Sequence, residues 1–236
     1  MAGMTIKGCM FDFSGTLMRV ESAERWLGAV LAQAGLEVPE PERRTYARRL
    51  ELAGGLPGGA APRSVPPSLL RLWQERDLSA EYHRAAYTGL ARQAGLPWGQ
   101  DGLYDALYDR HMTPDAWEPY PDAVDVLAEL KQRGIPVAVV SNVAWDLRPV
   151  LREHGLDRFV DVVVLSYEHE AQKPDPRLFR VACDALRLSP ERVAMVGDDP
   201  RADAGAAALG CAVHLVDHLP ARERPDGLRP VLRLVG

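Results

Sequence analysis

Apolar positions fall into two textures along the chain. Between residues 20 and 115 they recur at helical spacing, and outside that span they come as short unbroken runs alternating with helical stretches. Residues 22 to 34 place Trp26, Leu27, Val30, Leu31 and Ala34 on one face, with Gly35 as the stop. A more charged helix is predicted over 41 to 52. The Gly- and Pro-rich stretch 54 to 67 rules out regular structure and reads as a slack linker or a mobile lid, with the linker preferred. Helices follow over 67 to 76, 79 to 94 and 101 to 112, with Ser79 and Asp101 as N-caps and Gly95 ending the middle one. The stripe of Tyr82, Tyr104 and Tyr108 is taken as this block's own core.

From Tyr120 onward, helices over 122 to 133, 145 to 154, 176 to 187 and 200 to 209 alternate with strands over 135 to 140, 161 to 165, 192 to 196 and 212 to 216. That alternation is the signature of βαβ units and a parallel sheet. An earlier strand is predicted in GCMFDFSGTL, residues 8 to 17, where a buried apolar run carries Asp12 and then turns sharply at Gly15 and Thr16. The fold predicted is α/β: a Rossmann-like parallel sheet flanked by helices, built from residues 1 to 19 and 115 to 236, with residues 20 to 114 as an inserted all-helical cap domain.

Composition narrows the partners. The 236 residues suffice for a substantial core. A net charge of −5 argues against nucleic acid as the main partner, and no segment approaches the length of a membrane span. Asp12 interrupts any signal-like stretch at the N-terminus, so a cytoplasmic protein is expected, monomeric or homodimeric. Cys9, Cys183 and Cys211 lie in apolar surroundings without C-x-x-C spacing and read as buried free thiols. Only three of the 28 basic residues are lysines: Lys7, Lys131 and Lys173.

In an open parallel sheet, ligands bind at the C-terminal ends of the strands. Here those ends carry Asp12, then Ser141-Asn142, then Lys173-Pro174-Asp175-Pro176, then Gly197-Asp198-Asp199. Carboxylates, a hydroxyl and a cation are thus expected at one sheet edge. A hard dication with oxygen ligands is the natural way to hold such carboxylates together, since their charge would otherwise repel a phosphate. Each residue also has a structural alternative: Ser141 as a helix cap, Lys173 as a loop lysine, Asp199 as an N-cap before Pro200, Asp203 as a loop brace. The six histidines show no ligand spacing and receive no role.

The order D-x-x-G-T, Ser-Asn, Lys-Pro and G-D-x-x-x-x-D (Gly197, Asp198, Asp203) resembles the haloacid dehalogenase-like hydrolase superfamily, as does a helical cap between the first two motifs. The resemblance implies a Mg²⁺-dependent phosphatase of a small phosphorylated metabolite. Asp12 would be the nucleophile that forms an aspartyl-phosphate. Gly15, Thr16, Ser141, Asn142 and Lys173 would contact the phosphoryl group. Mg²⁺ would be held by Asp12, the backbone carbonyl of Ser14 and Asp198, with Asp199 or Asp203 in support.

The sequence departs from that pattern at Ser14, where most phosphatases of the superfamily carry an aspartate that protonates the leaving group. Serine has no useful pKa near neutrality, and general acid-base catalysis typically contributes about 10² to 10⁴ in rate. Three readings follow: a phosphatase whose acid comes from elsewhere, with Glu21 and Glu24 near in sequence; a slow enzyme that accumulates phospho-Asp12; or an inactive member that binds a phosphorylated ligand. Dehalogenation of a 2-haloacid is a further alternative, because those enzymes also lack the second aspartate. Phosphonate cleavage by a cap lysine is excluded, because residues 20 to 114 contain none. A phospho-receiver domain places its acidic pair first, whereas Asp198 and Asp199 come last.

Overall fold

The computed structural model describes residues 5–98 and 102–235. In chain order the elements are β1 (Gly8–Phe11), β2 (Met18–Val20), α1 (Ala23–Gln33), α2 (Glu40–Ala53), α3 (Leu70–Gln74), α4 (Ala80–Arg92), α5 (Leu103–Arg110), β3 (Trp117–Pro119), α6 (Ala123–Gln132), β4 (Val137–Ser141), α7 (Arg148–Glu153), β5 (Val162–Leu165), α8 (Pro176–Leu186), β6 (Val193–Gly197) and β7 (Ala212–Leu215). The chain divides into two compact units, one of Met1–Arg19 with Glu118–Gly236 and one of Val20–Trp117.

The first unit holds a five-stranded sheet in the order β5-β4-β1-β6-β7. Each neighbouring pair is parallel. Strands β1, β4 and β6 are buried along their whole length, which is why they read as continuous apolar runs instead of alternating ones. Helix α8 lays Leu178, Phe179, Ala182, Cys183 and Leu186 on the sheet, into a cluster with Met10, Ala138, Val140 and Met195. All three cysteines are free and buried.

The second unit is helical. Ser22 caps α1 by accepting from the Arg25 amide, and Trp26, Leu27, Val30 and Leu31 are buried as the spacing requires, while Ala34 is exposed. Ser79 caps α4 through the Tyr82 amide, and Gly95 takes a left-handed φ of 60° just past its end. The Asp101 cap lies outside the described residues. Of the tyrosine stripe only Tyr108 is buried, with Tyr82 and Tyr104 half-buried. The segment 54 to 67 is irregular, but its start is not slack: Gly54 to Pro57 are buried, with Leu56 only 6% exposed.

The elements differ from the sequence reading in four places, the first being the helix expected over 67 to 76, which is α-helical only over Leu70–Gln74, between 3-10 turns over Pro67–Leu69 and Arg76–Leu78. The stretch expected as a helix over 200 to 209 is a 3-10 helix over Asp203–Leu209, with i to i+3 bonds from Gly205 to Ala202 and from Gly210 to Ala207. Gly205 passes so close to Pro174 that a Cβ there would lie 2.6 Å from the proline Cβ, so tertiary packing sets its winding. Helix α7 begins late because Pro149 is tolerated only in a first turn. A separate two-stranded sheet of β2 and β3, three residues each, is too short to register as periodicity. Among the described residues no helix is long and apolar enough to cross a membrane.

Candidate active site

Strand β1 delivers Asp12 one residue past its end, and the Asp12 amide donates to the Val196 carbonyl at 2.9 Å. The chain then doubles back, with Gly15 N–H on Met18 O at 2.7 Å and Met18 N–H on Phe13 O at 2.9 Å. Gly15 has a φ of 84°, and a Cβ there would lie 2.4 Å from Asp198 Oδ2. Only glycine fits this turn, on both counts.

Three further strand ends meet this loop. Ser141, the last residue of β4, donates its hydroxyl to Asp12 Oδ1 at 3.3 Å, so it is not a helix cap. Lys173 is 4% exposed, and its Nζ donates to Asp12 Oδ1 at 2.7 Å and Asp203 Oδ1 at 2.5 Å. It is therefore not a surface loop lysine. Asn142 clamps the Lys173 backbone, accepting from its N–H at 2.7 Å and donating to its carbonyl at 3.0 Å. Beyond β6, Asp198 accepts from the Thr16 hydroxyl at 3.2 Å through Oδ1 and faces the His218 ring at 2.5 Å through Oδ2.

The acidic residues separate into kinds. One oxygen each from Asp12, Asp198 and Asp203 lie within 4.8 Å of one another. Both Asp203 oxygens are already engaged, Oδ1 by Lys173 and Oδ2 by the Asp199 amide at 2.9 Å, so this residue braces the cluster. Asp199 is exposed and outside the cluster. Its Oδ1 accepts from the amides of Arg201 at 2.7 Å and Ala202 at 3.1 Å, which is the capping alternative and not the metal-ligand one. Asp198 is likewise bonded through both oxygens but is less buried, at 11% side-chain exposure against 1% for Asp203, so it and Asp12 are the carboxylates placed to offer their remaining lone pairs to a hard cation.

The charges do not balance. Burial is the largest influence on Asp12, and with Asp203 and Asp198 it outweighs Lys173 and pushes the carboxyl up to about 8. Burial opposes the charge of Lys173 too, but Asp12 and Asp203 hold it above the ordinary lysine range. Burial thus dominates the Asp12 shift, and the facing carboxylates dominate that of Lys173. Asp198 is the exception. Burial works against its ionisation, yet the bond to His218 holds it below the usual carboxylate range. This donor set suits a divalent ion of oxygen preference.

Two participants escaped the sequence reading. His218 follows β7 by three residues, at the same sheet edge, so the strand-end rule applied to the last strand would have found it. Arg224 is 5% exposed and donates to the carbonyls of Gly15 at 2.6 Å and Thr16, with its guanidinium 3.2 Å from the Tyr120 ring centroid. It fixes the back of the Asp12 loop, and no sequence pattern marks it. Glu21, named above as a candidate acid, is bound by Arg110 at 2.7 and 3.1 Å and is buried, so it has no free proton-transfer position. Glu24 lies 3.8 Å from Arg44 at an exposed position. Arg25 lies 4.0 Å from Glu21, and Arg19 contacts His218.

Residues 6–210 match the model of the haloacid dehalogenase-like hydrolases. The chain is 42% identical to phosphoserine phosphatase of Thermus thermophilus over 117 residues, 49% of this chain and 47% of that protein. It is 28% identical to (S)-2-haloacid dehalogenase 4A of Burkholderia cepacia over 207 residues, 87% of this chain and 80% of that one. The chain thus spans about half the length of the phosphatase and four-fifths of the dehalogenase. A crystal structure of a dehalogenase with an intermediate complex superposes with a TM-score of 0.67 at 23% identity, covering 98% of this chain and 97% of the other, which establishes the shared fold. The sequence order of the motifs, their meeting at one sheet edge and the match over most of the length agree: the chain belongs to the haloacid dehalogenase-like hydrolases.

Proposed function

We propose that the protein hydrolyses the phosphoric monoester of a small metabolite, with Asp12 as nucleophile and the helical unit as a cap that selects the substrate. The observation that supports this best is the convergence on Asp12 of Lys173 at 2.7 Å, Ser141 at 3.3 Å and the Asp198 carboxylate. A phosphoryl group needs positioning and charge neutralisation more than elaborate covalent chemistry. Asp12 and Asp198 would hold Mg²⁺, together with the backbone carbonyl of Ser14. Bound there, the ion would offset phosphate charge and polarise the P–O bonds.

The steps fall to this chain's residues. Asp12 attacks phosphorus, the bond to the ester oxygen breaks, and the departing alkoxide takes a proton from water, because Ser14 cannot supply one. Ser141 and Lys173 donate to the phosphoryl oxygens, with Asn142 holding Lys173 in register. Water then attacks the acyl phosphate, releasing inorganic phosphate and restoring the Asp12 carboxylate.

A second reading is favoured by one feature: position 14 is serine, and the chain aligns with a 2-haloacid dehalogenase over 87% of its length. There Asp12 would displace halide from carbon and water would hydrolyse the ester. A panel of phosphate esters, including p-nitrophenyl phosphate, assayed with Mg²⁺ beside a panel of 2-haloacids separates the two. Phosphate release that needs Mg²⁺ and disappears in Asp12→Asn supports the phosphatase. Halide release with no phosphate release overturns it.

A further inference from the structure

We propose that His218, oriented by Arg19, is a positioning residue that fixes the Asp198 carboxylate for a divalent cation and thereby sets the affinity for that ion. The inference rests on the phosphatase reading and adds to it a residue outside the motifs.

The first argument is how firmly His218 is placed. The parallel pairing of β6 with β7 puts Gly197 opposite Leu215, and the Val216 amide extends it by donating to Gly197 O at 2.9 Å. The chain therefore travels beside β6 to its end and turns where Asp198 begins. Both neighbours of His218 are anchored: Arg224 donates to Asp217 O at 3.1 Å, and the Tyr120 hydroxyl donates to Leu219 O at 2.6 Å. The imidazole thus stands over Gly15, where a Cβ would come within 2.5 Å of its Nδ1.

The second argument is the tautomer. A guanidinium can only donate hydrogen bonds, so the contact of Arg19 with His218 Nε2 makes that nitrogen the acceptor. The ring proton then sits on Nδ1 and points at Asp198 Oδ2, 2.5 Å away. Thr16 holds the other oxygen at 3.2 Å. Asp198 is therefore gripped through both oxygens, and each keeps a lone pair for a cation. Hydrogen bonds of this kind to a ligating carboxylate typically carry about 10- to 100-fold in metal affinity. The His218 side chain is 36% exposed, so truncation leaves no cavity in the core.

The test is calorimetric titration of the full chain with Mg²⁺ and with Mn²⁺, for wild type, His218→Ala, His218→Asn and Arg19→Met. His218→Ala is expected to bind about 10- to 100-fold more weakly. His218→Asn places an amide N–H near the Nδ1 position and should recover part of the affinity. Arg19→Met, which releases the tautomer, should weaken binding by less than His218→Ala. Equal affinity of wild type and His218→Ala overturns the inference and leaves the phosphatase reading intact. A wild-type protein that takes up neither cation overturns both.

Discussion

Lys173→Met is the most informative perturbation of the site, because among the described residues Nζ is the one cation in ion-pair contact with the two buried carboxylates of Asp12 and Asp203. The side chains of Lys173, Asp12 and Asp203 are 2%, 9% and 1% exposed, so solvent screens none of them effectively. At 2.7 and 2.5 Å, each contact carries about 6 kcal/mol of raw attraction at an effective dielectric of about 20. Several kcal/mol per ion of desolvation offset this. Removing one partner of such a group leaves the other charges buried and uncompensated, which costs about 3 to 5 kcal/mol. Urea unfolding of wild type and Lys173→Met in EDTA measures the loss. The double variant with Asp203→Asn removes one of the stranded charges and should be less destabilised than the single variant. Saturating Mg²⁺ should recover more stability in Lys173→Met than in wild type, since the cation then meets an unopposed carboxylate. Measured above about pH 8, where Asp12 is ionised, a loss below about 1 kcal/mol would refute the reasoning, because it would mean that these groups are hydrated in the folded protein.

Two other outcomes are expected. On the proposed phosphatase reading, Ser14→Asp would supply a side chain able to hold a proton for the leaving group, and should accelerate alkyl phosphate hydrolysis by up to about 10² to 10⁴ while changing p-nitrophenyl phosphate hydrolysis little; an unchanged alkyl rate would place the acid elsewhere. Burial lowers His111 to about 3 and, with His111 and Arg76, His83 well below its ordinary value; Asp77, 3.8 Å from His83, is itself paired with Arg76 at 3.3 Å. Both rings are neutral in the fold and protonate only on unfolding, so their effect is nil above about pH 7 and becomes destabilising as pH falls from about 6.5 toward 3. For His111 this amounts to about 2 kcal/mol between pH 7 and pH 5. Denaturation at the two pH values should show a smaller drop in His111→Asn, and an equal drop would show that His111 is not excluded from protons.

The sheet and its edge were legible in the sequence for one physical reason. Parallel strands buried on both faces must be apolar throughout, so a polar residue at the end of such a run announces itself, as Asp12, Ser141 and Asp198 do. Lys173 is marked by the Lys-Pro segment that follows the next strand. Other features depend on partners far away in the chain. Arg224 looks like any surface arginine until residues 15 and 16, more than 200 positions earlier, present their carbonyls to it. The family resemblance implies a phosphoryl contact for Asn142, and in the structure its carboxamide accepts from the Lys173 N–H and donates to the Lys173 carbonyl, holding the lysine. Glu21 looked available because its ion pair with Arg110 spans 89 positions. The 3-10 winding after Asp203 follows from contact with Pro174, which local composition does not encode.

The spacing inside the motifs has a steric cause that binds them into one device. A Cβ at Gly197 would lie 2.1 Å from Asp203 Oδ2, and one at Gly15 would lie 2.4 Å from Asp198 Oδ2. Each glycine is therefore the hollow into which a carboxylate of the cluster fits: Gly197 makes room for an aspartate six residues on, and Gly15 for one brought from another strand. Neither aspartate could approach Asp12 over a larger residue. The turn glycine of the first motif and the acid of the last are thus two halves of a single packing arrangement, and the closeness it enforces creates the excess negative charge that one lysine leaves uncompensated. On the proposed phosphatase reading, serine at position 14 would alter proton supply and leave that electrostatic frame as it stands, so a deficit should appear in leaving-group departure and not in the binding of a cation or a phosphate.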